Sequence, residues 1–365
     1  MVEIIRPTLV INKEICLRNI ERMAQKAKDH KLRFRPHFKT HQSKEIGDWF
    51  RILGVESITV SSVQMAEYFA RYGWDDITIA FPVNILEITS INRLAANIKL
   101  NALVENKEAA TVLSEKINYP LGVYLKIDAG ANRTGIEPSK TGAIHSIIEI
   151  LLKNTKLSFK GFLAHNGQTY SANSTNEIFS RHFDALLKLK SLKQRFSANF
   201  PNIEVSIGDT PSSTLCTNFM GVDELRPGNF VFYDLMQKNL GVCSFEDIAV
   251  RMVCPVVAKH ASRNEVVIYG GAIHLSQESL INIDGKRFFG RVIILKNGEK
   301  KLLSERNYVS RLSQEHGIIK VSQKNFSHFK IGDLVEIVPI HSCLTANLSR
   351  KYLTTEGEEI TMINT

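Results

Sequence analysis

"SITVSSVQMAEYFARYGWDDITIAFP", residues 57–82, holds two β-rich runs, SITVSS (57–62) and ITIAFP (77–82). Between them lies SVQMAEYFARYG, whose apolar residues recur at three and four. The period of the pattern passes from that of a strand to that of a helix and back. Strand, helix and strand in so short a space predict two parallel strands joined by a crossover helix. The alternation runs on in both directions. Further strands are expected at RFRPH (33–37), KLNALVE (99–105), VYLKID (123–128), KGFLAH (160–165), EVSIG (204–208) and ELRPGNFVF (224–232). Amphipathic stretches such as SRHFDALLKLKSLKQRF lie between them. Eight such units predict the α/β class and a closed (β/α)8 TIM barrel over residues 12–245. Pro36 counts against a long first strand, since proline sits poorly inside a sheet.

After residue 245 the texture changes. IAVRMVCPVVAKH, NEVVIYGG, KRFFGRVIILKNGEK and DLVEIVPIHSC read as strands joined by tight turns, and Asn297–Gly298 is a hairpin signal. This predicts an all-β domain over 246–365. Residues 1–11 read as a strand that either domain could hold.

Length and composition agree with two domains of an ordinary globular protein. The chain has 365 residues, 44% of them apolar and 23% charged. Its net charge of +9 suits anionic small molecules, while the absence of an arginine-rich arm or zinc-finger spacing argues against nucleic acid. Five scattered cysteines imply no disulfide framework and fit a reducing compartment. No apolar run approaches the roughly 18 residues of a membrane span, and the charged N-terminus is not a signal peptide. The expectation is a cytoplasmic protein with no membrane partner.

In such barrels the active site lies at the carboxyl ends of the strands. The first strand leads to RFRPHFKTH (33–41), which sets Lys39 among Arg33, Arg35, His37 and His41. In an extended chain Arg35, His37 and Lys39 share a face. Positive neighbours and desolvation favour a neutral lysine amine; a solvated basic patch is the plainer reading. Strand five ends in DAGANRTG with Arg133, and strand six in HNGQTY with His165 and Tyr170. Strand seven ends in GDTPSST, where Gly208 allows close approach and Thr210, Ser212 and Ser213 precede a helical stretch. Strand eight carries Gly228 and Asn229. Loops after strands seven and eight commonly bind phosphate, although the same residues also serve as turn chemistry. In IVPIHSC, His341 and Cys343 at i, i+2 offer an imidazole and a thiolate suited to zinc with open coordination positions. A buried cysteine beside a hydrogen-bonded histidine is the alternative. His316 in SQEHG reads as a polar group of the site or as a surface histidine.

Taken together, RPHFKTH, DAGANRTG, HNGQTY, GDTPSS, ELRPGNFVFYDLMQ, EHG and VPIHSC resemble the fold-type III pyridoxal-phosphate enzymes of the D-serine dehydratase and D-threonine aldolase group. The resemblance spans both domains in order. It implies an alanine-racemase-like barrel followed by a β domain, with Lys39 holding pyridoxal phosphate as a Schiff base. It further implies phosphate contacts at Gly208, Thr210, Gly228 and Asn229. His37, Arg133, His165 and Tyr170 would line the ring and substrate, with His165 and Arg133 joining Lys39 in catalysis. His341 and Cys343 would hold a divalent metal. Gln168 stands where relatives often carry histidine, and Tyr269 where acidic residues are commoner, which bears on the substrate.

The implied activity is that of a D-3-hydroxy amino acid lyase. Dehydration to a 2-oxo acid and ammonia is favoured, because the resemblance associates a cysteine in the second metal position with dehydratases and an aspartate with aldolases. Retro-aldol cleavage to glycine and an aldehyde is the alternative. An amino-acid racemase and a non-catalytic pyridoxal-phosphate-binding protein are further ones. The resemblance also implies a homodimer.

Overall fold

The computed structural model describes residues 3–296 and 299–363. The chain divides into two compact units, Ile20–Phe230 and a second made of Met1–Asn19 with Val231–Thr365.

The strands of the chain's first two-thirds are β1 (Thr8–Ile11), β2 (Arg33–Phe34), β3 (Ile58–Val60), β4 (Asp76–Pro82), β5 (Lys99–Val104), β6 (Leu121–Ile127), β7 (Leu157–Ala164), β8 (Glu204–Ile207) and β9 (Glu224–Leu225). β2 to β9 form one all-parallel sheet in the order β2-β9-β8-β7-β6-β5-β4-β3. Its two ends meet. His37 bridges Thr59 in parallel, the Phe38 amide donates to Thr59 O at 2.9 Å, and the Thr59 amide donates to Pro36 O at 2.9 Å. The eight expected strands therefore close into the TIM barrel that the alternation predicted.

Helices cover the outside, and their starts are written in the sequence. Ser43, Ser62, Asn106 and Ser174 each accept a backbone N–H of the first turn, filling a donor that the helix cannot satisfy itself. All seven residues of β6 are buried, as a strand covered on both faces requires. β2 and β9 are shorter than RFRPH and ELRPGNFVF suggested. Pro36 and Pro227 follow them by two residues, and neither has an N–H to extend a ladder.

In the other unit, β1 pairs antiparallel with β10 (Val250–His260) and parallel with the Lys351–Thr354 strand. Residues 8–11 thus lie in the β sheet rather than in the barrel. From β10 the sheet runs through Leu334–Pro339, Gly290–Lys296, Tyr308–Leu312 and His316–Lys320 to β11 (Glu265–Tyr269), which pairs back onto β10. Six strands thus form a ring. Val10, Val253 and Leu353 pack together beside it. Gly290–Lys296 and Glu299–Leu302 pair antiparallel with Lys296 opposite Glu299; Asn297 and Gly298, the expected turn, lie outside the described residues. Among the described residues no helix is long and apolar enough to cross a membrane.

Candidate active site

Within the barrel unit, the site is assembled where three neighbouring strands end. β9 lies between β2 and β8, and the pairing continues past the strands. The Arg35 amide donates to Leu225 O (2.9 Å), the His37 amide to Pro227 O (2.8 Å) and the Arg226 amide to Ile207 O (2.8 Å). These bonds bring the Lys39 turn, the Gly208–Thr210 loop and the Gly228–Asn229 loop side by side. The glycines are required by this closeness. A Cβ on Gly208 would sit 2.6 Å from Arg226 O, and one on Gly228 would sit 2.8 Å from His37 O. Both small residues therefore serve the approach of strand end to strand end.

The cations around Lys39 sort into two groups. Arg33 and Arg35 do not press on it. Arg35 is buried between Glu224 (2.7 Å) and Asp76 (2.5 Å), and Arg33 binds Glu204 (2.6 Å) and Glu224 (2.9 Å). Burial alone would raise the Glu224 carboxyl, but the two arginines hold it below its usual value. The expected shared face of Arg35, His37 and Lys39 is not formed, because the strand stops at Phe34 and Lys39 stands in the turn that follows. Lys39 is exposed, and its ammonium end makes no hydrogen bond or ion pair among the described residues. His37 does belong with it. The Lys39 amide reaches His37 Nδ1 at 3.3 Å, and His37 is held neutral by burial and then by Lys39, Arg226, His165 and Arg133.

The phosphate loops differ from expectation in their donors. The helix Thr210–Leu215 is capped by Asp209, whose carboxylate accepts from the Ser212 amide (2.7 Å), Ser212 Oγ (2.6 Å) and Thr169 Oγ1 (2.9 Å). The Thr210 amide donates to the Tyr170 hydroxyl at 3.0 Å. These backbone groups are thus already used. What remains is a pair of hydroxyls: Thr210 Oγ1 and Ser213 Oγ are buried with no partner among the described residues. Buried polar atoms are normally satisfied, so two orphaned hydroxyls on one short helix fit an anion such as a phosphate. Asn229 is buried in the adjacent loop.

His165 Nδ1 donates to Gly208 O, which orients the ring. Burial, then Arg133, Lys126 and Lys39, hold it down at about 3, so it is an uncharged ring at neutral pH, tilted 34° to Tyr170. Arg133 is exposed on the loop after β6. That loop is tied down by Asp128, whose Oδ1 accepts from the Gly130 and Asn132 amides. Arg133 opens on a cavity of about 590 Å³ whose wall also carries Gln168, Arg181 and Lys188.

Two residues of this region were not singled out from the sequence. Lys126 on β6 is buried with Nζ 3.2 Å from Ile127 O. Burial, Arg226 and Arg133 push it down to about 7. Arg226, buried too, donates to Ser206 Oγ (2.5 Å) and Ala164 O (2.6 Å). The signal for Lys126 was the one charge inside VYLKI (123–127), where its neighbours are apolar or aromatic.

In the β unit, His341 and Cys343 are not on an extended strand. The Leu334–Pro339 strand ends before them. His341 is the extended residue that starts the helix Ser342–Ser349, and Cys343 lies in its first turn. His341 Nδ1 is 3.2 Å from Asp234 Oδ2. Burial would lower His341, but Cys343, Asp234 and Glu278 outweigh it and hold it up at about 9. Among the described residues no three His, Cys, Asp or Glu side chains converge to hold a metal. The two soft ligands form a pair that fits zinc or a similar ion only with outside ligands. His316 is exposed where it begins its strand, and Tyr269, opposite it, packs its ring on His274.

Comparison with known proteins follows the same division. Residues 11–235 match the family model "Alanine racemase, N-terminal domain". The chain belongs to the alanine racemase N-terminal-domain family. Residues 249–355 match the model described as "Putative serine dehydratase domain". It is 28% identical to the D-serine dehydratase of Dictyostelium discoideum, over 95% of this chain and 92% of that one. It is 26% identical to the D-threo-3-hydroxyaspartate dehydratase of Delftia sp. HT23, over 93% and 91%. The solved structure of that enzyme covers 98% of this chain and 97% of its own with a TM-score of 0.89. A 3-hydroxy-D-aspartate aldolase of Paracoccus denitrificans is 25% identical over 96% and 88%.

Proposed function

We propose that this alanine-racemase-like protein is a pyridoxal-phosphate-dependent lyase of D-3-hydroxy amino acids. It acts as a dehydratase that yields a 2-oxo acid and ammonia, with a divalent metal, zinc, at His341 and Cys343. The observation that carries the dehydratase reading is the His341-x-Cys343 pair, in a chain whose residues 249–355 match a serine dehydratase domain. Similarity to both dehydratases and an aldolase supports the substrate class, and the resemblance associates a cysteine in the second ligand position with elimination.

Pyridoxal phosphate, when bound, withdraws electrons from Cα so that its proton becomes removable. Lys39 is the residue that would hold it: an exposed amine with no hydrogen bond or ion pair among the described residues, in a turn fixed by bonds to the second and eighth barrel strands. Released to its free form, the same amine takes the Cα proton. Thr210 Oγ1 and Ser213 Oγ hold the phosphate, with Gly208, Gly228 and Asn229 shaping the loops around it. His165, kept neutral by its surroundings, supports the ring without adding charge, and His37 and Tyr170 complete that wall. Arg133 offers a cation to the substrate carboxylate.

Loss of a β-hydroxyl is hard because hydroxide leaves poorly. His341 and Cys343 would hold a zinc ion, which would supply Lewis acidity toward such an oxygen. The Cα–H and Cβ–O bonds break, and water replaces nitrogen at Cα, so serine gives pyruvate and ammonia. The resemblance suggests a homodimer, and five scattered cysteines fit a reducing, cytoplasmic location. Light scattering at about twice the 41.1 kDa chain mass tests the dimer.

Chelation tests the metal's part. Treatment with a strong chelator should abolish release of ammonia from D-serine while the visible absorption of the bound cofactor remains, and added zinc should restore turnover. Full activity in the metal-free protein would remove the Lewis-acid role.

A further inference from the structure

Asp234 lies 107 residues before His341 and is fully buried. Its Oδ2 accepts from the Ser342 amide at 2.9 Å and Ser342 Oγ at 3.2 Å, and lies 3.2 Å from His341 Nδ1. Its Oδ1 accepts from the Gln237 amide at 2.9 Å, capping the short helix Leu235–Asn239. The same segment is fastened again by the Met236 amide, which donates to Ile340 O at 3.1 Å. The carboxylate is thus held from two sides and cannot swing away from the imidazole.

Capping alone does not explain a carboxylate here. Ser, Thr or Asn caps a helix without burying a charge, and an ionised group deep in the fold is costly unless strong donors surround it. The donor that gains from a full negative charge is the imidazole. A histidine whose Nδ1–H points at a carboxylate keeps its proton on that nitrogen, turns Nε2 outward as a lone pair, and becomes a more basic ligand. Asp234 itself is badly placed to ligate, since both its oxygens already accept hydrogen bonds.

We propose that Asp234 is the positioning residue of the metal site: it fixes His341 in the Nδ1–H tautomer, so that Nε2 is the atom that binds the ion. This rests on the metal reading proposed above. A distant acidic residue in ELRPGNFVFYDLMQ then belongs to the same site as the His-x-Cys pair.

The test measures zinc affinity of the cofactor-loaded protein by competition with a chromogenic chelator. Asp234→Asn should weaken zinc binding about 10- to 100-fold, with the cofactor's visible absorption and the melting temperature close to wild type. Ser342→Ala removes another donor from the same carboxylate but leaves the imidazole contact, and should change the affinity less than about threefold. Equal losses in the two variants, or wild-type affinity in Asp234→Asn, would overturn the assignment. If Asp234→Asn does not fold, the wild-type protein answers directly. Loaded with ¹¹³Cd and labelled with ¹⁵N-histidine, it should show cadmium coupling to His341 Nε2 and a retained proton on Nδ1; coupling to Nδ1 contradicts the proposal. Failure of the wild-type protein to bind zinc at all would instead bring down the metal reading, and this inference with it.

Discussion

Lys39 stands in a run crowded with basic residues, and the structure divides that crowd by what each side chain meets. The partners of Arg33 and Arg35 are Glu204, Glu224 and Asp76, between 41 and 191 residues away in the chain. No local pattern could have announced them, so a basic patch and an activated lysine looked alike in sequence. Only His37 proves to be a close neighbour of the lysine. Lys39→Ala should therefore give a colourless, inactive protein, and borohydride reduction of the wild type should fix the cofactor to Lys39 in a peptide map. Recovery of the label on another lysine would refute the assignment. Lys126 permits a pH test in the cofactor-free protein. Its folded-state pKa of about 7 lies below the ordinary 10.5, so the unfolded chain binds a proton that the folded chain refuses. For this group stability rises with pH between those two values, and the whole penalty is present below 7. Lys126→Met should accordingly raise the melting temperature more at pH 6 than at pH 9.5. An equal gain at both values would show that burial of the charge is not the cause.

At the scale of elements, patterns that depend on neighbouring residues were legible and those that depend on packing were not. The alternation of periods located all eight barrel strands. The glycines of the last two strands were visible too, but their reason was not, because His37 and Arg226 meet them only in the fold. Gly228→Ala should cost about 1–3 kcal/mol of stability through overpacking against His37 O, read as a lower unfolding midpoint. Thr210→Val makes the opposite separation. Its buried hydroxyl has no partner among the described residues, so its loss should leave the unfolding midpoint unchanged or raise it. Cofactor retention should nevertheless fall about tenfold, one lost hydrogen bond to a charged group. Undiminished retention in Thr210→Val would take the phosphate away from that helix. The spacing of His341 and Cys343 singled them out but left a buried cysteine beside a hydrogen-bonded histidine as the alternative, and a helix start stands where an extended segment was expected.

For the whole molecule, two textures in one chain translated into two folded units, and the sequence's alternating and all-β halves correspond to the two family matches. What length and period cannot convey is which distant residues share a site, as Lys126, Arg226 and Asp234 illustrate. The excess of positive charge also takes on meaning at this scale. Arg133 and Lys188 line one cavity with Asp184 and with Arg181, which is paired to Glu177; the net positive wall suits a substrate that carries at least one carboxylate. The central claim is that this molecule breaks the Cβ–O bond of a D-3-hydroxy amino acid. Its most direct test is product analysis by proton NMR after incubating the zinc-loaded holoenzyme with D-serine, D-threonine and D-threo-3-hydroxyaspartate in turn. The account predicts 2-oxo acid and ammonia in equal amounts from at least one of the three, with no glycine formed. Glycine with an aldehyde or glyoxylate, or simple inversion to the L-amino acid, would contradict it.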